Sequence, residues 1–69
     1  MKYRVKLYLL NNNTPEPIEV FYCDTEDRQM QYTYTALNYY KDSTPVCLIY
    51  EWVGNTYTCR GRMYYNKEE

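Results

Sequence analysis

The sequence predicts a single small α+β domain over residues 1–69, a ββαββ arrangement with a mostly antiparallel sheet and one helix packed on one face. Three observations predict it. Residues 1–10 alternate between two kinds of side chain, as a half-buried strand does. Residues 24–45 begin and end with helix-capping chemistry. Residues 46–65 form two strand-like runs around Gly54-Asn55, which is typical of a hairpin.

The first predicted strand covers residues 1–10. One side carries Tyr3, Val5, Leu7 and Leu9, and the other carries Lys2, Arg4, Lys6 and Tyr8. Because side chains alternate across a strand, the first set is expected to face the core. Residues 11–17 are rich in Asn and Pro, which favour turns, and residues 18–23 form the second predicted strand. A loop of this length predicts that the two strands pair as a wide hairpin.

The predicted helix runs from Thr25 to Tyr40. Residues 24–27 combine N-cap residues with acidic residues, which satisfy free amides and oppose the helix dipole. Residues 42–45 end the element with Asp, Ser, Thr and Pro. A helical wheel predicts the inner side, which is made of Met30, Thr33, Tyr34, Leu37, Tyr40 and Lys41. The alternative is a small all-β barrel, because residues 30–36 also alternate as a strand does.

The hairpin register follows from its turn. Gly54 can adopt the positive φ that the first central position of a type II′ turn requires. A two-residue loop places Trp52 opposite Tyr57 and, further along, Ile49 opposite Arg60. The core face of the hairpin is predicted to carry Val46, Leu48, Tyr50, Trp52, Tyr57, Cys59 and Met63. Gly61 falls on this face and predicts either the close approach of another element or a bulge.

Residue types argue against catalysis. The chain has no histidine, and its three cysteines form no C-x-x-C pair, so the sequence predicts a protein that is not an enzyme and holds no metal or cofactor. Cys59 is expected in the core, and Cys23 and Cys47 are expected on the side of the sheet that faces away from the core. With free thiols and no segment that resembles a signal peptide or membrane span, a cytoplasmic protein is expected.

The predicted non-core face of the sheet combines basic, aromatic and aliphatic side chains. This mixture predicts a stoichiometric protein-binding module, such as an inhibitor or adaptor, or a homodimer. Small chains of this kind are common among phage and mobile-element proteins. The expected partner-binding residues are Tyr8, Phe21, Ile49, Val53, Arg60, Arg62 and Tyr64. Ile49→Asp is expected to abolish association without unfolding the protein. If it unfolds the protein instead, the two predicted faces are exchanged, and the interface is expected among Tyr50, Trp52 and Tyr57.

Two further surfaces are predicted. A basic face bearing aromatic rings is also typical of single-stranded nucleic-acid binding, and the residues expected for that alternative are Lys2, Arg4, Lys6, Arg60 and Arg62. Arg28, Tyr32 and Tyr39 are expected on the outer side of the helix, where an exposed tyrosine stripe suits binding.

Overall fold

The structure, a computed structural model, describes residues 1–12 and 14–66. In that part of the chain the elements are β1 (Tyr3–Leu9), β2 (Glu19–Cys23), α1 (Glu26–Tyr39), a 3-10 helix (Lys41–Ser43), β3 (Pro45–Val53) and β4 (Thr56–Tyr64). The predicted ββαββ order is confirmed. Asn13, which belongs to the predicted 11–17 turn, lies outside the described residues.

The described strands form one open antiparallel sheet in the order β2-β1-β3-β4. The barrel alternative is therefore wrong. The wide hairpin is confirmed, because β1 pairs with β2. Val5 at the centre of β1 lies opposite Phe21 on one side and Ile49 on the other, so that these three residues share one face. Residues directly opposite each other in antiparallel strands point to the same side, and this register decides both faces of the sheet.

The helix begins and ends where its capping chemistry predicts. Thr25 is the N-cap, and its hydroxyl accepts a hydrogen bond from the Arg28 backbone N–H at 3.2 Å. Glu26 and Asp27 occupy the first turn, where carboxylates are stabilised by the helix dipole. Tyr40 is the C-cap.

The buried side of α1 is shifted from the predicted one. Gln29, Thr33, Ala36 and Leu37 are buried, whereas Met30 and Tyr34 are exposed, so the predicted inner positions of these two residues are wrong. The two buried polar residues hydrogen-bond to each other. The Gln29 side-chain amide donates to the Thr33 hydroxyl at 2.9 Å, and that hydroxyl donates to the Gln29 backbone carbonyl at 2.7 Å.

The hairpin turn is confirmed, and its register holds only as far as Tyr50. Gly54 has a φ of 68°, and Trp52 lies opposite Tyr57 as predicted. Between Tyr50 and Ile49 the register shifts by one residue, because Arg60 forms a β-bulge. Beyond it Ile49 lies opposite Gly61 instead of Arg60. The predicted bulge beside Gly61 is confirmed. The predicted close approach is wrong, since a Cβ at Gly61 would meet no atom within 4 Å.

The core lies on the side of the sheet that α1 covers. Ala36 and Leu37 pack there on four buried sheet residues, Val5, Leu7, Cys47 and Ile49. Phe21 packs against the same cluster. Phe21 and Ile49 therefore lie on the helix-covered side, and their predicted placement on the non-core side of the sheet is wrong. The predicted core position of Leu48, Tyr50 and Trp52 is wrong as well. Both sides of β3 are apolar, and the pairing with Val5 and Leu7 places the smaller set under the helix.

The cysteines also lie on the sides of the sheet opposite to those predicted. Cys23 and Cys47 are buried and Cys59 is exposed, the reverse of the prediction. Burial raises the pKa of Cys47 from its ordinary value of 9.0 to about 12. It also raises the pKa of Cys23. Both thiols are therefore protonated near neutral pH.

Candidate functional site

The side of the sheet opposite α1, here called the open face, carries one continuous set of strand residues. The pairs that define it are Arg4 with Tyr22 and Tyr50, Lys6 with Val20 and Leu48, and Trp52 with Tyr57. By the same register and alternation the open face consists of Lys2, Arg4, Lys6, Tyr8, Val20, Tyr22, Val46, Leu48, Tyr50, Trp52, Tyr57, Cys59, Arg62 and Tyr64.

Arg4 forms the centre of the open face. Its guanidinium carbon lies 4.6 Å from the ring centroid of Tyr50 and 4.5 Å from that of Tyr57, so the cation is held between two aromatic faces. The ammonium of Lys6 lies 5.3 Å from the Tyr50 ring centroid. Burial raises the pKa of Tyr50, so this ring stays neutral beside the two cations. Arg4 Nε is buried and has no hydrogen-bond partner among the described residues.

Aromatic rings surround this centre. Trp52 packs edge-to-face on Tyr57 with ring centroids 4.9 Å apart, and Tyr22 is tilted toward Tyr57 at 6.1 Å. The Tyr57 hydroxyl donates a hydrogen bond to the Met1 carbonyl at 2.6 Å, which fixes the ring. Trp52, Tyr22 and Tyr64 remain 46%, 47% and 50% exposed. The open face therefore presents accessible rings, and two of them, Trp52 and Tyr22, pack on the Tyr57 ring.

Charge is distributed unevenly between the two sides of the sheet. The charged strand residues of the open face are all basic, in a chain whose net charge is −1. Glu51 belongs to the helix-covered side, where it pairs with Arg60 at 3.1 Å, and it also reaches Lys2 at the margin at 3.6 Å. Asp24 borders the same corner, in a hollow of about 460 Å³ that Trp52 and Tyr57 also line. The open face is thus a cationic surface on a slightly acidic protein.

The structure separates the predicted site residues into two groups. It brings together Arg4, Lys6, Tyr8, Arg62 and Tyr64 on the open face. Lys2 precedes β1 and lies at the margin of this face, where its ammonium reaches Glu51 at 3.6 Å. Arg60 is the bulged residue and turns to Glu51, so it leaves this group.

The aliphatic residues do not form the predicted patch. Phe21 and Ile49 lie under the helix, and Val53 is exposed beside the turn. Sequence reasoning missed Tyr22, and it considered Tyr50, Trp52 and Tyr57 for the interface only if the two predicted faces were exchanged. The signal that could have found them is the pairing of β1 with β3, which sets the cations of β1 opposite the aromatic residues of β3.

A second surface lies between α1 and the edge strand β2. It is an open groove of about 800 Å³ that includes the predicted surface residues Arg28, Tyr32 and Tyr39. Phe21 forms its floor and packs edge-to-face on Tyr32 at 6.1 Å. The Tyr40 hydroxyl donates to Glu19 at 2.8 Å, and this hydrogen bond raises the pKa of Tyr40.

Comparison with known proteins adds no relative. No family model matches the chain, and neither a curated protein nor a solved structure matches it significantly. In the described part of the chain, no group of three His, Cys, Asp or Glu side chains could hold a metal ion. No helix over those same residues is both long and apolar enough to cross a membrane.

Proposed function

We propose that the open face binds single-stranded nucleic acid, without catalysis. The observation that carries the proposal is the coincidence of charge and rings on one surface. Its charged strand residues are all basic, and six aromatic residues lie among them, namely Tyr8, Tyr22, Tyr50, Trp52, Tyr57 and Tyr64. Bases stack on aromatic rings while Lys and Arg side chains contact phosphates, and this surface supplies both groups.

The residues divide into two roles in this proposal. Tyr22, Trp52 and Tyr64 are about half exposed, so their rings are the ones that bases can reach. Stacking on such rings contributes roughly 1–3 kcal/mol per base and tolerates every base. A four-stranded sheet of this size holds about two or three stacked bases. Lys6 lies beside the Tyr50 ring and Arg62 lies beside Tyr64, and in this proposal both cations contact the phosphates.

The ligand is single-stranded because a base must be unpaired to stack on a ring. A broad sheet surface cannot enter a duplex groove as a helix does, so a duplex gains only phosphate contacts. Ribose and deoxyribose strands share the groups that this surface recognises. Separate RNA and DNA arms of the experiment distinguish these two sources.

The test is fluorescence anisotropy with labelled strands of about 12 nucleotides, within the site sizes of small single-strand-binding folds. The strands are RNA, DNA and a DNA duplex, each titrated over a range of salt. With three or four cations engaged, the logarithm of affinity for single strands should fall with a slope of about −2 to −3 against the logarithm of salt concentration. Absence of binding to single strands at about 50 mM salt contradicts the proposal.

Two matched variants assign the binding to this surface. Arg62→Gln removes a cation from the open face, and Lys41→Gln removes one from the 3-10 helix outside it. The Arg62 change should flatten the salt slope by about 0.7, the value for one phosphate contact of a single strand. The Lys41 change should leave the slope unaltered. Equal effects of the two would assign the binding to net charge instead.

A protein partner is the second candidate for the same surface. Trp, Tyr and Arg carry much of the binding energy in protein interfaces, and the open face is built from these types. The complementary partner would present acidic groups, and the protein would act as a stoichiometric adaptor or inhibitor. Failure of the anisotropy experiment, with capture of an acidic protein that Arg62→Gln prevents, would support this candidate.

A further inference from the structure

The sheet has two edges, and they differ in how they resist pairing with another chain. Natural edge strands carry bulges, lysines or prolines that prevent such pairing. The edge strand β4 has the bulge at Arg60 and a second arginine at Arg62. The edge strand β2, with the sequence EVFYC, contains no Lys or Pro and pairs with β1 in unbroken register.

We propose that β2 pairs antiparallel with β2 of a second copy about a two-fold axis through Phe21. The axis is central because Phe21 is the middle residue of Glu19–Cys23, so that the whole strand is used. Val20 then lies opposite Tyr22 of the second copy. These two side chains are 41% and 47% exposed in a single chain, and pairing buries the part of each that faces the new strand. The result is one eight-stranded antiparallel sheet.

Charge complementarity favours a second copy of this protein as the chain that pairs with the edge of β2. Glu19 and Arg28 both line the α1–β2 groove, and Arg28 also lines a hollow with Cys23 and Asp24 at the far end of β2, where it is the cation. The proposed register sets Glu19 opposite Cys23 of the second copy. The carboxylate of each copy therefore approaches the Arg28 guanidinium of the other, and the two-fold axis produces this ion pair twice.

The helices leave room for this pairing. Because α1 contacts β1, β2 and β3, it lies above β1. Three strand spacings separate β1 from β1 of the second copy, which places the helices about 14 Å apart. Directly packed helices lie about 8–10 Å apart, so a gap remains for large side chains. Phe21, Tyr32 and Tyr39 line the groove on each side and fill this gap.

The inference does not rest on the proposed function, and its test needs no ligand. Light scattering after size exclusion measures the mass of the full chain at increasing concentration. A small interface gives a weak dimer, so the wild type should approach twice the chain mass by about 1 mM. A mass of one chain up to that concentration overturns the proposal.

Two charge reversals test the register. Glu19→Arg and Arg28→Glu should each give the mass of one chain, because like charges then meet across the axis. An equimolar mixture of the two variants should restore twice the mass, since the introduced arginine then meets the introduced glutamate and the other pair is native. Lys41→Glu, which changes the charge equally outside the groove, should leave the dimer intact. Single variants that stay dimeric, or a mixture that stays monomeric, contradict the register.

Amide hydrogen exchange on the wild type gives a measurement independent of any variant. The outward-facing amides of Glu19–Cys23 should become more protected as concentration rises, while those at the edge of β4 should not change. Unchanged exchange in β2 across a mass transition would assign the dimer to another surface and overturn the proposal.

Discussion

Arg4 lies between the rings of Tyr50 and Tyr57, yet its Nε is buried without a hydrogen-bond partner among the described residues. Each cation–π contact stabilises the fold by about 0.5–1 kcal/mol. A buried unpaired donor costs about 1–3 kcal/mol. These contributions nearly cancel, so the stability of the fold does not explain the arginine. The proposed binding of nucleic acid by the open face would explain it.

Arg4→Met tests this account of Arg4. Methionine keeps the apolar stem between the rings and removes both the charge and the unpaired Nε. We expect the free energy of unfolding, measured by urea denaturation, to change by less than about 1 kcal/mol. Single-strand affinity should fall in the same variant. A loss of stability above about 2 kcal/mol would make Arg4 a structural residue.

The three thiols should differ in reactivity. Cys59 is exposed, whereas Cys23 and Cys47 are buried. Burial raises the pKa of Cys47 to about 12, and the thiolate is the reactive form. A thiol reagent at roughly pH 8 should therefore label one cysteine in the folded protein and three in denaturant. Cys59→Ser should leave no rapid label, and rapid labelling of a second cysteine in the folded wild type would contradict the assigned faces.

Cys47 also makes stability depend on pH. Its folded pKa is raised above the ordinary value of 9.0, so the folded state holds the proton more tightly than the unfolded state does. The contribution is fully present below pH 9.0 and is lost as pH rises toward about 12. The free energy of unfolding should decline over that window, and Cys47→Ala should decline less steeply. Equal slopes for the two proteins would contradict the burial of this thiol.

Among the elements, β1 and the bounds of α1 were predictable, and the buried side of α1 and the faces of β2 and β3 were not. β1 places Lys2, Arg4 and Lys6 on one side, so its polarity decides its own faces. In β3 both alternate sets are apolar, and the larger aromatic set was assigned to the core. The helix covers the smaller set instead, because Cys47 and Ile49 lie opposite Leu7 and Val5. Only the pairing between strands distant in sequence carries that information.

A matched pair of charge insertions tests the faces of β3. Ile49→Asp places a carboxylate in the core and should destabilise the protein by about 4 kcal/mol or more, which is enough to unfold many small domains. Trp52→Asp places the same group where the native side chain is 46% exposed and should leave the fold intact. Circular dichroism measures both. A folded Ile49→Asp beside an unfolded Trp52→Asp would restore the faces predicted from sequence.

At the scale of the whole molecule, the sequence predicts the residue types of the candidate surface, basic and aromatic, better than it predicts which individual residues form that surface. Three of the five residues predicted for nucleic-acid binding, Arg4, Lys6 and Arg62, share the open face, and Lys2 lies at its margin beside Glu51. Arg60 is not part of the open face because it is the bulged residue of β4. No local sequence pattern predicts which residue of a strand will form the bulge. The rings of β3 and β4 join the cations only once the sheet order is known. The exchange of faces therefore replaces an aliphatic patch with an aromatic, cationic surface.

The most direct test of that surface is an NMR titration of the protein with a single-stranded oligonucleotide. Trp52 is the only tryptophan, so its indole N–H gives one unambiguous signal from the open face. We predict large shifts at that indole and along β1, β3 and β4, and little change at Thr35 and Ala36 in the α1–β2 groove. Shifts confined to the groove, or an indole signal unmoved at saturation, would contradict the open face as the binding surface.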